Sequence, residues 1–238
     1  MKDFDYESVG AGYYDAIFAA RRGVRKFWHQ YKFEMIRGRM SDVPGLKVLD
    51  VGCAAGSFLG LFCPKGVSGL GVDLSKAQVD YANRKYGSGS IRFEAGDVRR
   101  LDLEPASFDC IVMSEVIEHI EYAEALDVLK SLRRLLRPGG KLFVTTPNYR
   151  SLWPAIELCV NKMSPISYEH QHINKLHRKS AEELLRRAGF EVLGTTSFFI
   201  AAPFLAFISQ RLSHTLCRLE SFFLSRLGSI ILLEATVL

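Results

Sequence analysis

Two groups of side chains in this sequence could do chemistry. The first is three carboxylates, Asp50, Asp73 and Asp97, each closing a short apolar run. The second is the stretch Ser114-Glu115-Val116-Ile117-Glu118-His119-Ile120, which gathers two acids and an imidazole. On one turn of helix Glu115, Glu118 and His119 fall at i, i+3 and i+4 on one face. His119 could then be a general base oriented by a carboxylate. Alternatively, the trio could ligate a divalent cation that polarises an acceptor oxygen; no metal is assigned. His29, His177 and His214 have no comparable setting and receive no function.

The carboxylates gain meaning from the loop beside the first of them. Val48-Leu49-Asp50-Val51-Gly52-Cys53-Ala54-Ala55-Gly56-Ser57-Phe58 reads as a strand entering a glycine-bearing turn that opens a helix. Gly52 and Gly56 remove side chains where a ligand approaches the backbone, and the helix start supplies unpaired N–H groups. The third position of a GxGxxG fingerprint is Ala54, which disfavours a dinucleotide pyrophosphate. Asp50 would repel phosphate but suits an ammonium group. Asp73, in Gly71-Val72-Asp73-Leu74-Ser75, is spaced to accept hydrogen bonds from both hydroxyls of a ribose. Asp97, after Gly96, could accept from an adenine amino group. Together they describe a cleft for a nucleoside with a cationic tail.

The elements that must position these groups alternate in type. Residues 47–51, 68–73, 91–95, 108–114 and 141–146 read as strands, with helices over 75–86 and 122–136 and a shorter one over 57–62. Such alternation demands a parallel sheet covered on both faces. Residues 190–197 and 229–238 add a sixth and a seventh strand. The expectation is an α/β, Rossmann-like, doubly wound and mostly parallel seven-stranded sheet. Ser75 with Gln78, and Ser180 with Glu183, fit helix capping boxes. Residues 13–40 have a helical pattern with a basic, aromatic stretch (Arg21, Arg22, Arg25, Lys26, Lys32, Arg37 and Arg39 against the single acid Glu34), ended by Pro44 and Gly45. The division expected is an N-terminal helical cover (1–44), a core (45–200), an apolar helical insertion (201–228) and the last strand of the core (229–238).

Composition narrows the class. The chain has 238 residues, 48% hydrophobic and 24% charged, with a net charge of +5. That is ordinary globular usage, and the charge falls short of a nucleic-acid footprint. The five cysteines include no CxxC pair, so reduced cytoplasmic thiols are expected rather than a zinc ribbon or disulfide scaffold. Met1 is followed by Lys2, Asp3, Phe4, Asp5 and Tyr6, which does not read as an export signal. The longest apolar run, residues 198–208, contains Pro203 and is shorter than the roughly 20 residues a membrane-crossing helix needs. It is expected to be buried or to lie at an interface.

Taken jointly, Asp50-Val51-Gly52-Cys53-Ala54-Ala55-Gly56, Asp73, Gly96-Asp97, Phe108-Asp109-Cys110-Ile111-Val112, Leu136-Arg137-Pro138-Gly139-Gly140-Lys141-Leu142 and Ala188-Gly189-Phe190 resemble the class I S-adenosylmethionine-dependent methyltransferases over about residues 45–197. The resemblance implies S-adenosylmethionine as cofactor, held by Asp50, Gly52, Cys53, Gly56, Asp73, Leu74, Asp97, Val98 and Ser114. The Glu115, Glu118, His119 pattern resembles that of ubiquinone-pathway O-methyltransferases and of RNA 3′-terminal 2′-O-methyltransferases, in which a metal is implicated. The segment after Thr146-Pro147-Asn148-Tyr149 is where relatives build acceptor pockets, which makes Asn148 a candidate substrate contact. In Tyr168-Glu169-His170-Gln171-His172-Ile173-Asn174, His172 could bond the acceptor or complete a metal shell.

The function implied is O-methylation of a lipophilic or small-molecule hydroxyl or phenol. The enzyme would be cytoplasmic, with peripheral contact at the inner membrane surface through residues 198–228, where Arg211, Arg218 and Arg226 punctuate an apolar pattern. RNA 2′-O-methylation with a divalent metal is the alternative, though nucleic acid is a disfavoured partner; a catalytically silent S-adenosylmethionine-binding module is another. Oligomeric state is left open. Asp73→Ala is expected to weaken cofactor binding by roughly 1 to 3 kcal/mol, the scale of losing one partner of a buried hydrogen-bonded pair; calorimetric titration with S-adenosylmethionine checks it, and unchanged affinity removes the ribose assignment.

Overall fold

The computed structural model describes residues 10–163 and 171–237; the segment Tyr168-Glu169-His170 and the first six residues lie outside the described residues. The apolar runs become the strands β1 (Lys47–Val51), β2 (Ser68–Asp73), β3 (Ile91–Ala95), β4 (Phe108–Ser114), β5 (Leu136–Pro147), β6 (Glu191–Phe198) and β7 (Ile230–Thr236). They form one sheet in the order β3-β2-β1-β4-β5-β7-β6. Only β7 runs against its neighbours, β5 and β6. The helices are α1 (Tyr13–Ala19), α2 (Val24–Arg37), α3 (Lys76–Tyr86), α4 (Tyr122–Leu135), α5 (Trp153–Met163), α6 (Arg178–Arg187) and α7 (Gln210–Phe223).

The period-two geometry of a strand explains the two cores. Leu49, Val51, Ile111, Met113, Leu142 and Val144 face one side, where α4 and α6 bury Leu129, Leu132, Leu184 and Leu185. Val48, Cys110, Val112 and Phe143 face the other, under Phe27, Tyr31 and Ile36 of α2, Val79 and Ala82 of α3 and Cys217 of α7. With both faces covered, each central strand reads as a nearly unbroken apolar run. Asp50 shares the parity of Val48, which turns it to the α2 side.

Several local expectations shift. The single N-terminal helical stretch is two helices, because Gly23 at φ +144 separates α1 from α2. The short helix after the glycine loop is a π-helical turn, Phe58–Phe62. Ser180 is not the cap of α6: His177 is, accepting from the Ser180 N–H while the Ser180 hydroxyl accepts from His177 N–H at 3.0 Å. Ser75 does cap α3, but the Gln78 side chain bonds the backbone of Gly10 and Gly12, tying the entry of α1 to α3. Strand β5 starts at Leu136, with irregular pairing opposite β4 before Lys141.

The segment between β6 and β7 holds a 3-10 stretch, Ala202–Phe207, followed by α7. No helix among the described residues is long and apolar enough to cross a membrane. The buried Glu220 of α7 accepts hydrogen bonds from the backbone N–H groups of Ile200, Ala201 and Ala202 at 3.0, 2.8 and 3.0 Å. Glu220→Ala leaves those donors without their charged acceptor; it is expected to lower the unfolding free energy by about 2–3 kcal/mol, read from urea titration.

Candidate functional site

Strand order decides where the site lies. The chain leaves β1 outward to β2 and β3, then returns to place β4 on the other side of β1, so the loops after β1 and β4 part and open a crevice at the switch point. Register keeps its contributors level: Val51 pairs with Val72 and with Met113, so Gly52, Asp73 and Ser114 emerge side by side. The resulting cleft has a volume of about 650 Å³, within the range of roughly 300–1,000 Å³ usual for small-molecule sites. Its wall includes Asp50, Gly52, Cys53, Asp73, Leu74, Asp97, Val98, Ser114, Glu115, Glu118, His119 and His172.

The glycines also serve the protein's own packing. A Cβ on Gly52 would stand 2.3 Å from Val116, and one on Gly56 would stand 2.7 Å from the Phe93 ring, with φ near +72 and +77 at the two residues. The missing side chains therefore make room for the protein's own packing, and the turn they permit exposes the loop backbone to the cleft. Asp73 fixes that turn: its carboxylate accepts from Ala54 N–H at 2.8 Å and from Ser75 N–H at 2.9 Å. Burial raises its pKa while the backbone donors oppose the rise. About two of the roughly four lone-pair positions of a carboxylate are used, leaving acceptor capacity for a diol.

Asp50 is enclosed and its Oδ2 has no hydrogen-bond partner. Burial, with Asp73 nearby, pushes it up to about 7, and the Lys32 charge opposes the shift. Asp97 is already engaged, accepting from the Arg99 side chain and backbone at 2.9 Å, and this pairing holds its pKa below the usual carboxylate range. An adenine amino group would share those oxygens with Arg99. The Cys53 thiol is buried against the loop and pushed well up by burial. The Ser114 hydroxyl shares a hydrogen bond with Thr145 at 3.0 Å.

At the end of β4 the expected trio does not assemble. Only Ile117–His119 make a 3-10 turn; Glu115 precedes it at φ +56 and its carboxylate accepts from the Thr145 hydroxyl at 2.8 Å. The partner of Glu118 and His119 is instead His172. The Glu118 carbonyl accepts from Ile173 N–H at 2.8 Å and Asn174 N–H at 3.0 Å, which fastens the histidine loop onto the turn. Ligand-capable atoms of Glu118, His119 and His172 then lie within 4.8 Å of one another. Burial raises Glu118 well above the ordinary carboxylate value, with Glu115 adding to the shift, and Glu118 Oε1 has no partner. His119 is lowered to about 4 by burial and by His172. Its Nδ1 lies 3.1 Å from the Gln171 carbonyl, which can only accept, so the neutral ring carries its lone pair on Nε2.

Sequence reasoning missed two residues. Lys32, counted there in a basic stretch, is buried in the stripe of α2 that includes Phe27, Tyr31 and Ile36 and lines the cleft; among the described residues it makes no ion pair. The signal was available: a lysine at a helical position otherwise taken by core residues. Glu157 on α5 hydrogen-bonds His172 Nδ1 and accepts from the Tyr149 hydroxyl at 3.0 Å. That contact is long-range and leaves no spacing signature. Asn148 lies outside the cleft wall, its amide donating to the Gly228 carbonyl and its oxygen accepting from Arg150 N–H. It clamps the end of β5 rather than facing an acceptor.

Comparison with known proteins gives this crevice a family. Residues 26–195 match the Methyltransferase domain family, and the chain belongs to it. The cofactor of this class is S-adenosylmethionine, whose hydroxyl and ammonium donors suit a crevice with spare acceptor capacity at Asp73 and one unpartnered, buried oxygen at Asp50. A Mycolicibacterium smegmatis protein named as an S-adenosylmethionine-dependent methyltransferase is 30% identical over 177 residues, 74% of this chain and 64% of that one. The ubiquinone biosynthesis O-methyltransferase of Leptothrix cholodnii is 29% identical over 121 residues, 49% of this chain and 51% of that one. The chain thus spans less than two thirds of the length of these curated relatives. In fold it is similar to the magnesium protoporphyrin IX methyltransferase of Synechocystis PCC 6803, solved with bound SAH, at a TM-score of 0.64 and 18% identity, over 94% of this chain and 93% of that one.

Asp50 links stability to binding. Between the ordinary carboxylate value of 3.8 and about 7 the folded, cofactor-free protein holds a proton there that the unfolded chain does not. Stability from this group therefore rises as pH falls through that window and is lost above it. Asp50→Asn is expected to raise the Tm of the free protein above pH 7, the difference vanishing below about pH 4. The same variant should bind S-adenosylmethionine at least about ten-fold more weakly, and wild-type affinity should fall below pH 7 as Asp50 takes up its proton. Calorimetry across pH reads both.

Proposed function

We propose that the chain is an S-adenosylmethionine-dependent O-methyltransferase domain acting on a lipophilic hydroxyl or phenol acceptor. The observation that carries this reading is a neutral, half-buried His119 placed in a cleft also lined by Trp28, Trp153, Ile156 and Phe204. When bound, S-adenosylmethionine supplies a methyl group on a positively charged sulfur. In this reading Asp73 accepts from the ribose hydroxyls, Asp97 and Val98 border the adenine, Asp50 faces the ammonium group and Lys32 faces the carboxylate. The loop backbone from Gly52 to Gly56 sets their depth.

His119 Nε2 accepts the acceptor's hydroxyl proton, and its low pKa keeps it unprotonated at neutral pH. Burial likewise depresses His172 to about 4, with the Lys175 charge adding to it. Held by Glu157 and Tyr149, His172 fixes the ring opposite His119, their centroids 5.0 Å apart. The aromatic wall excludes water and accepts an apolar body, and alignment of this sort contributes on the order of 7 to 11 kcal/mol to such transfers. O-methyltransferases among the relatives support the choice of oxygen.

A second reading rests on the orphaned Glu118 Oε1. A divalent cation held by Glu118, His119 and His172 would satisfy it and would polarise the acceptor oxygen. Activity lost to a chelator and restored by one divalent ion selects this reading; indifference to chelator removes it.

The test of the main reading is incubation with methyl-labelled cofactor and separated lipid, RNA, protein and small-metabolite pools. Label in a lipophilic hydroxyl fraction is expected, with His119→Ala reducing the rate by about 10²- to 10⁴-fold; label in RNA alone overturns it.

A further inference from the structure

Helix α7 turns most of its large apolar side chains outward. Its fully buried positions are Ser213, Cys217 and Glu220, with Leu216 partly buried against the core beside them. Its outward positions carry Leu212, Leu219, Phe222 and Phe223, the two phenylalanines 79% and 72% exposed. A helix built to face water has the opposite arrangement. Phe207 of the 3-10 stretch before it and the following Ile208 extend the apolar surface, both more than half exposed. Phe204 joins that surface to the cleft, since it is exposed and also lines the cleft wall.

Charge says what covers this face. Arg211 and Arg218 are exposed among the apolar positions of α7, and the exposed Arg226 follows it. The one acid of the helix, Glu220, is turned inward onto the backbone of residues 200–202. A second copy meeting this face about a twofold axis would enclose these arginines against the same surface, whose one helix acid, Glu220, is already turned inward. An anionic lipid surface meets both demands: acyl chains take the leucines and phenylalanines, and headgroup phosphates take the guanidinium groups.

We propose that the outward face of α7, with the adjoining 3-10 stretch, docks this domain onto an anionic bilayer surface, leaving the cleft mouth at Phe204 beside the lipid. The docking stands on exposure and charge; only the entry of the acceptor from the bilayer rests on the lipophilic-acceptor reading above.

The experiment is co-sedimentation of the full chain with vesicles of equal parts phosphatidylglycerol and phosphatidylcholine, against phosphatidylcholine alone, with neither cofactor nor acceptor present. The chain is expected to pellet with the anionic vesicles and to be released by salt. Phe222→Ser with Phe223→Ser should lower partitioning at least about ten-fold, and Arg211→Gln, Arg218→Gln and Arg226→Gln together should remove the salt-sensitive binding. Both sets of variants lie away from the cofactor groups, so unchanged S-adenosylmethionine affinity shows that they are folded. A wild-type chain that stays in solution with anionic vesicles overturns the proposal, as does a double phenylalanine variant that binds them equally well. A wild-type dimer that the phenylalanine variant splits, with no vesicle binding, assigns the face to a second copy instead. Because no methyl transfer is read, failure here is distinct from failure of the proposed reaction.

Discussion

An enclosed carboxylate in β1, one of whose oxygens has no hydrogen-bond partner, is the constraint around which the rest of the cleft is arranged. Asp50 sits near Asp73, whose negative charge makes its ionisation still harder, and Lys32 is the opposing charge supplied by the protein. Delivering Lys32 requires α2 to lie on the same sheet face as Asp50, with Phe27, Tyr31 and Ile36 buried beneath it. The cover above it is anchored in turn: Asp15 of α1 accepts from the Tyr81 hydroxyl at 2.8 Å and also bonds Tyr86 and Lys85 of α3. The N-terminal helices and the sheet edge therefore form one electrostatic unit around that carboxylate.

How much of this was legible depended on range. Strands β1 to β4 stand at the expected residues because buried parallel strands are short apolar runs cut by glycine, proline and polar punctuation. The place of Asp73 in the cleft was legible because it is set by position at a strand end. What failed was local pattern overruled by distant contact. Glu115, Glu118 and His119 satisfy helical spacing, yet the Thr145 hydroxyl on β5 takes Glu115 and the loop from Gln171 to Asn174 brings His172 instead. Ser180 looked like a cap until His177, three residues earlier, occupied that place. Asn148 looked like an acceptor contact because the segment it opens is variable in purpose, while its amide is fixed to Gly228.

The two halves of the cleft differ in origin. The cofactor half is made of strand ends and the glycine loop, all within residues 26–195 where the family likeness runs. The aromatic wall draws on Trp28 and Trp153, from α2 and α5 within that same span, and on Phe204, which lies beyond it in the stretch after β6. Trp28 stacks on Phe199 with centroids 4.3 Å apart, so the segment that follows β6 braces the aromatic wall from behind. A fold of this kind hosts many substrates on one frame.

The place of β7 has a consequence for how the chain acquires its shape. It is the latest strand to be synthesised, yet it lies between β5 and β6 and bonds along both. Until it leaves the ribosome, β5 presents an unpaired rim and β6 has no neighbour to join, so nascent chains carry an open template for unwanted pairing. Wedging in the final strand converts that hazard into closure. A chain interrupted before Ile230 would lose the bridge between β5 and β6, and with it the support of everything stacked behind the aromatic wall.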